Sequence, residues 1–329
     1  MQTRTLGRSE LQVPVICFGC WAIAGDAIWG PQDERAAIRA MHEAADNGLS
    51  FFDSAEGYGA GDSEALLGRG LHDRRDRVII ATKASPSNHA PAALKQACED
   101  SLRRLQTDYI DLYQLHWPSR EVGFEETWAA MEELIVEGKV RAGGVSNFGP
   151  LDLEEMLEHG RPATDQVAYS LLFRAPEYEI APMCGEEGIS ILCYSSIMQG
   201  LLADKYATPD EVPDGRARSR HFSGDRPQAR HGEAGAEELT FDTIAEIRRI
   251  ARELGEPMHR VAIAWLIEQP AVGSVIVGIR SPEQARDNLA AGDLKLGEEI
   301  LRRLDEATQP LKERLGTNAD MWQGKSRIR

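Results

Sequence analysis

Two periodicities alternate along the chain. Apolar runs rich in branched and aromatic residues, from Val13 to Gly19, Ser50 to Ala55, Val78 to Lys83, Tyr109 to His116, Val140 to Ser146, Asp165 to Tyr169, Ser190 to Ser195 and Ser274 to Gly278, read as buried strands. Between them, apolar positions recur at helical spacing. Ala36, Ala37, Ala40, Met41, Ala44 and Ala45 mark one face of a helix that begins near Asp33 and stops at Gly48. A second helix covers Ser63 to Leu71, with Asp62 or Ser63 as its cap. Further helical patterns cover 92–105, 125–137, 151–158, 178–187, the pair 241–254 and 258–269, and 282–291.

Eight strands, each followed by at least one helix, imply right-handed crossovers and a parallel sheet. Eight such units close into an α/β barrel of the (β/α)8, or TIM, kind, and the length suits one such domain over 1–329. The rival, an open doubly wound sheet, would carry a G-x-G-x-x-G turn after its first strand, and no such turn is there. The stretch 207–236, rich in Pro, Gly, Arg and Asp, breaks the rhythm after the seventh strand. Barrel loops build active sites on that face, so this long loop reads either as a lid or as disorder.

Composition narrows the class. Hydrophobic content of 42% supports a sizeable core. No apolar run approaches the ~20 residues of a membrane span. The segment from Met1 to Gly7 lacks the apolar centre of a secretion signal. The expectation is a soluble, cytoplasmic protein with no membrane partner. A net charge of −16, from 53 acidic and 37 basic residues, disfavours nucleic acid and anionic lipid as partners. Only seven of the basic residues are lysine, a balance that suits either a salt-rich cytoplasm or a GC-rich genome. Five scattered cysteines (Cys17, Cys20, Cys98, Cys184, Cys193) argue against a disulfide framework. Cys17 and Cys20 have a metal-like spacing, but no second Cys or His pair completes a site. Two half-buried thiols are the plainer reading, and no metal is expected.

The candidate chemistry lies at strand ends. Asp53, Lys83 and His116 lie at the C-terminal ends of strands two, three and four, and Tyr58 sits between two glycines just beyond. In a barrel those ends converge on one mouth. Singly, each has an ordinary explanation: a strand-end Asp caps a loop, a Tyr between glycines packs, a His before Trp117-Pro118 satisfies a backbone group. Together they point to proton chemistry. Lys83 would lower the phenol's pKa of Tyr58 from about 10, Asp53 would hold Lys83 charged, and His116 would hydrogen-bond a carbonyl oxygen. A phenol so tuned can give a proton to a carbonyl as hydride arrives.

Gly19-Cys20-Trp21, Asp53-Ser54-Ala55-Glu56-Gly57-Tyr58-Gly59, Ala81-Thr82-Lys83, Asp111-Leu112-Tyr113-Gln114-Leu115-His116-Trp117-Pro118 and Gly144-Val145-Ser146-Asn147-Phe148 follow one another at compatible spacing. In this the chain resembles the aldo-keto reductases, in their bacterial type, over nearly its whole length. The resemblance implies a barrel that binds a nicotinamide cofactor without a Rossmann domain. It also implies reversible NADPH-dependent reduction of aldehydes or ketones by the tetrad Asp53, Tyr58, Lys83 and His116, with Tyr58 as general acid.

Cofactor contacts follow from the same resemblance. Gly19, Cys20, Trp21 and Asp53 are among them. Ser146, Asn147 and Gln166 match residues that hydrogen-bond the nicotinamide carboxamide, and Tyr194, followed by Ser195, matches the aromatic that stacks on the ring. The plainer reading of Tyr194 is core packing. Gly200, Leu201 and Lys205 match the pyrophosphate segment, although Asp204 stands where the family usually has Gly. Gly278, Arg280, Gln284, Asp287 and Asn288 match the adenosine segment. Gly278 occupies the place of a Lys in many members, so the 2′-phosphate would fall to Arg280, helped by an Arg from the long loop. NADPH is favoured over NADH. Trp21, Trp29, Tyr58 and Trp117 would line the substrate side.

Two other readings stay open. The resemblance extends to potassium-channel β subunits, which share the barrel and the cofactor, so a regulatory subunit with slow turnover is the alternative. Lys83 as the Schiff-base nucleophile of an aldolase-like barrel is a third. The physiological substrate and the oligomeric state are open at this point.

Overall fold

A computed structural model describes residues 1–25 and 28–329. A short antiparallel hairpin, β1 (Thr3–Thr5) and β2 (Gln12–Pro14), comes first. Then β3 (Ile16–Gly19), β4 (Phe51–Asp53), β5 (Ile79–Ala84), β6 (Ile110–Leu115), β7 (Val140–Ser146), β8 (Thr164–Ala168), β9 (Ser190–Tyr194) and β10 (Val272–Gly278) pair in parallel in that order. Finally β10 returns to β3 and closes the ring. The eight expected strands are the eight staves of this barrel. Most strand ends shift by one or two residues from those expected, and the run from Val13 is two elements. Pro14 has no N–H to give a ladder, so parallel pairing starts only at Ile16.

Ten α-helices accompany the described strands: α1 (Glu34–Asp46), α2 (Asp62–Leu71), α3 (Pro91–Leu105), α4 (Phe124–Val136), α5 (Pro150–Leu157), α6 (Ile180–Glu187), α7 (Glu237–Leu254), α8 (Met258–Ile267), α9 (Pro282–Ala291) and α10 (Glu298–Leu315). Asp33 caps α1 through the Ala36 amide at 2.6 Å, as its sequence predicts. Neither Asp62 nor Ser63 caps α2. Gly61 does, in a left-handed conformation at φ 98°. Ser63 is buried instead: its hydroxyl donates to the Cys20 carbonyl at 3.0 Å and accepts from Ser54 at 2.9 Å. Helix α10 has no counterpart in the sequence reading, because Leu304, Thr308, Leu311 and Leu315 are a thin buried stripe in a strongly charged segment.

The core is in two parts. Cys17, Phe51, Ala81, Leu112, Ala142, Leu192 and Ile276 fill the lower barrel interior, plugged from below by Leu6, Leu11 and Val13 of the hairpin. A larger cluster lies between staves and helices. All five cysteines are fully buried free thiols, including Cys17 and Cys20, which were expected to be half-buried. Among the described residues, no helix is long and apolar enough to cross a membrane.

The long loop is ordered. Val212, Ala217 and Phe222 are buried in it. The His221 ring bridges Ser219 Oγ at 3.1 Å and the Leu172 carbonyl at 2.8 Å. Arg220 ties the loop to the end of α10 and the chain just beyond it, donating to the carbonyls of Leu315 at 2.9 Å and Asn318 at 3.0 Å. That terminal stretch returns over the barrel. Its end is fixed at Asp152, which is fully buried and accepts from Arg120 at 2.5 and 3.0 Å and from Arg329 at 3.0 Å.

Candidate active site

Strand alternation decides which side chains reach the mouth. Phe51 and Asp53 share the inner face of β4, Ile79, Ala81 and Lys83 that of β5, and Leu112 and Gln114 that of β6. The register pairs Asp53 with Ala81 and Lys83 with Gln114. A polar layer therefore sits on top of the apolar one. Gln166 joins it from β8, and Gly144 on β7 leaves room, since a Cβ there would collide with Thr164 Oγ1.

Lys83 is the hub of this layer. Its ammonium donates to Asp53 Oδ2 at 2.6 Å, to the Ser54 carbonyl at 2.6 Å and to Tyr58 Oη at 3.4 Å. Three acceptors match its three N–H groups. Asp53 Oδ1 accepts from Gln166 Nε2 at 2.8 Å and from Gln114 Nε2 at 3.3 Å. The Tyr58 ring stacks on Trp21, centroids 5.8 Å apart, and meets the His116 ring edge-on at 5.8 Å. The predicted tetrad is thus one cluster.

Its electrostatics differ from expectation at one point. Burial opposes the charge on Lys83, but Asp53 and Tyr58 outweigh it and raise its pKa. Burial also raises the Tyr58 phenol, and Lys83 only partly offsets this, since the Asp53 carboxylate beside the same ammonium pushes the other way. The phenol therefore titrates above its ordinary value, not below. His116 is pulled down to about 3 by burial, then by the charge of Lys83, so the imidazole is neutral at physiological pH. Burial raises the thiol of Cys20, at the cleft wall, well out of the thiolate range.

A cleft of about 730 Å³ opens above the cluster. Every predicted site residue lines it except Lys83, which lies behind, and Leu201, whose side chain is packed in the core. On one side Ser146 Oγ donates to the Gln166 carbonyl at 2.9 Å. Asn147 donates to Ser146 Oγ at 2.9 Å and to the His116 carbonyl at 3.1 Å, and accepts from the Tyr194 hydroxyl at 2.8 Å. Asn147 (φ 62°) and Ser195 (φ 53°) are both left-handed, the kind of backbone strain that clusters at ligand sites.

The far end is cationic. Gly200 turns at φ 104°, and Lys205, Arg216 and Arg280 gather beyond it. Burial and the charges of Arg216 and Arg280 depress the Lys205 pKa. Asp204, the acid that stands where the family has Gly, pairs with Arg248 at 2.6 Å. Arg280 donates to Gln32 Oε1 at 2.6 Å, to the Trp29 carbonyl at 2.8 Å and to the Pro31 carbonyl at 2.6 Å. Gln284 Oε1 accepts from the Arg280 amide at 2.8 Å. Asp287 pairs with Arg260 and, at 2.7 Å, with His259.

The long loop supplies Arg216, Arg218 and Arg230 to the lining, where one unspecified Arg of this loop was expected. His259 from α8, and Trp322 and Arg327 from the terminal stretch, were not foreseen. Arg327 lies 3.6 Å from the Trp117 ring centroid and is held by Asp320 at 2.7 and 3.0 Å. The Trp322 ring lies 4.6 Å from the Arg218 guanidinium. The Met321-Trp322 pair in a mostly polar tail is the sequence cue to this wall.

Comparison with known proteins agrees with this geometry. The model of the Aldo/keto reductase family matches residues 15–309. The chain is 33% identical over 294 residues to the aldo-keto reductase YhdN of Bacillus subtilis (strain 168), covering 86% of each chain. It is 30% identical over 336 residues to an NADH-specific methylglyoxal reductase of Escherichia coli (strain K12), covering 94% of this chain and 100% of the other. A crystal structure of an aldo-keto reductase from Klebsiella pneumoniae in complex with NADPH matches at a TM-score of 0.74 and 29% identity, covering 93% and 95%. The chain belongs to the aldo/keto reductase family, and it is an NAD(P)H-dependent oxidoreductase acting on carbonyl and alcohol groups.

Proposed function

We propose that the protein reduces aldehydes or ketones to alcohols, reversibly, with NADPH preferred over NADH and Tyr58 as proton donor. The observation that carries this reading is the phenol of Tyr58, 3.4 Å from the Lys83 ammonium and edge-on to a neutral His116, at the floor of the cleft.

The cleft suits a reduced nicotinamide dinucleotide along its length. Ser146, Asn147 and Gln166 offer hydroxyl and amide groups for a carboxamide, and Tyr194 offers a ring face. Lys205, Arg216 and Arg280 form a cation cluster, which suits phosphates, and among the described residues none of the three makes an ion pair with a carboxylate. Gln284, Asp287 and Asn288 line the remaining end. When bound, the nicotinamide would supply the hydride.

The chain's own groups then handle the oxygen. A carbonyl oxygen near Tyr58 and His116 would accept one hydrogen bond from each. As the carbon is reduced, negative charge grows on that oxygen and the phenol proton moves to it. The resulting phenolate lies beside Lys83, which Asp53 and Ser54 keep charged and in place. Because its pKa is raised, Tyr58 stays protonated across neutral pH and remains able to donate. His116, being neutral, donates a hydrogen bond rather than a proton. Trp21, Trp29, Trp117 and Trp322 wall the space above, as an apolar carbonyl pocket requires.

The cation cluster favours NADPH, by about tenfold in kcat/KM if the 2′-phosphate gains one charge-assisted hydrogen bond. A panel of aldehydes, ketones and sugars, assayed with both cofactors, tests the reading. Turnover of simple aldehydes with NADPH is expected. Tight cofactor binding without turnover of any carbonyl would overturn it in favour of a regulatory role.

A further inference from the structure

Trp29 stands where the two ends of the cleft meet. Its indole meets Trp21 edge-on, centroids 5.5 Å apart at 86°, and Trp21 stacks on Tyr58 at 5.8 Å. From the other side, the Arg216 guanidinium lies 5.4 Å from the Trp29 ring. Arg280 grips the backbone of the same loop, taking the carbonyls of Trp29 and Pro31 and the side chain of Gln32 at 2.6–2.8 Å. Two of the three cations at the phosphate end are therefore engaged with a residue of the substrate wall.

This loop joins β3 to α1 and turns at Gly30, φ 73°. The planar fork of Arg280 fixes three oxygens at once, which a Lys with a single ammonium cannot do in the same geometry. Each terminal nitrogen of Arg280 carries a second N–H, so the guanidinium can face a phosphate without releasing the loop.

We propose that Arg280 is a positioning residue for the carbonyl substrate: by holding Trp29, Pro31 and Gln32 it seats the Trp29 indole against Trp21, linking the phosphate end of the cleft to substrate fit. The inference rests on the proposed reductase reading, in which Trp21 and Trp29 face the substrate.

Arg280→Met, Arg280→Lys, Trp29→Ala and the double variant Trp29→Ala/Arg280→Met test it, assayed with 4-nitrobenzaldehyde at saturating NADPH. Arg280→Met is expected to raise the aldehyde KM about five- to tenfold with kcat within about threefold, and the double variant to be no worse than Trp29→Ala alone. Arg280→Lys, which keeps the charge but not the fork, should lie near Arg280→Met. An unchanged aldehyde KM with only the NADPH KM raised would overturn the proposal, and so would additive effects in the double variant. Near-ultraviolet circular dichroism of the protein alone reads the same contact without catalysis. Arg280→Met should lose the share of the tryptophan signal that Trp29→Phe removes, and a wild-type spectrum would contradict the proposal. Absence of turnover in the wild-type protein would sink the reductase reading and leave this spectroscopic result standing.

Discussion

Asp53→Asn isolates the ion pair on which the polar layer is built. The substitution keeps the shape and an oxygen for Gln166 and Gln114, but places an amide opposite an ammonium 2.6 Å away whose side chain is fully buried. At that separation the attraction between unit charges is about 6 kcal/mol at an effective dielectric of 20, before desolvation is subtracted. Leaving one member of a buried pair alone costs roughly 3–5 kcal/mol, and urea unfolding at pH 7 should show a loss of that size. The pH dependence gives a sharper reading. In the wild-type protein Lys83 has a raised pKa, so its contribution is fully present below about pH 10 and is lost only as pH rises through the folded value. Without Asp53, burial dominates and Lys83 becomes neutral in the folded state at lower pH. The unfolded chain then holds the extra proton, and variant stability should climb between about pH 7 and 10 with a slope approaching 1.4 kcal/mol per pH unit. A variant within 1 kcal/mol (roughly the worth of one ordinary hydrogen bond) of wild type at pH 7, with a parallel pH profile, would refute the assigned role of this pair.

Other consequences are equally direct. Burial depresses His221 and His89 to about 4, so as pH falls from 6.5 the unfolded chain takes up protons that the folded chain refuses. Stability should drop by about 3 kcal/mol per histidine between pH 6.5 and 4; urea titrations of His221→Gln should lose one such share, and a slope equal to wild type would contradict this. Trp322→Ala removes a wall residue whose ring lies 4.6 Å from the Arg218 guanidinium. Steady-state kinetics should show the aldehyde KM rising about tenfold with the NADPH KM little changed; equal effects on both would place Trp322 with the cofactor instead.

The architecture was legible because it is written in local pattern. Apolar runs alternating with helical faces give the order of the staves, and period-2 alternation carries Asp53, Lys83 and Gln114 to one layer. The tetrad was legible for the same reason, since its strand-borne members lie at consecutive strand ends. What escaped were features set by distant packing. Arg327 and Trp322 reach the mouth only because Asp152 and Arg220 anchor a stretch with no periodicity of its own. The sign of the Tyr58 shift is set first by burial and then by how far Asp53 cancels Lys83, a balance that no spacing encodes. The engagement of Arg280 with Trp29 joins positions 251 residues apart.

The proposed role of Tyr58 is tested most directly by Tyr58→Phe, which removes one oxygen from the cleft floor. Carbonyl reduction should fall by roughly 10²–10⁴-fold, the range for loss of a general acid, while NADPH binding, followed by quenching of tryptophan fluorescence, stays close to wild type. Reduction by Tyr58→Phe within tenfold of the wild-type rate would contradict the account.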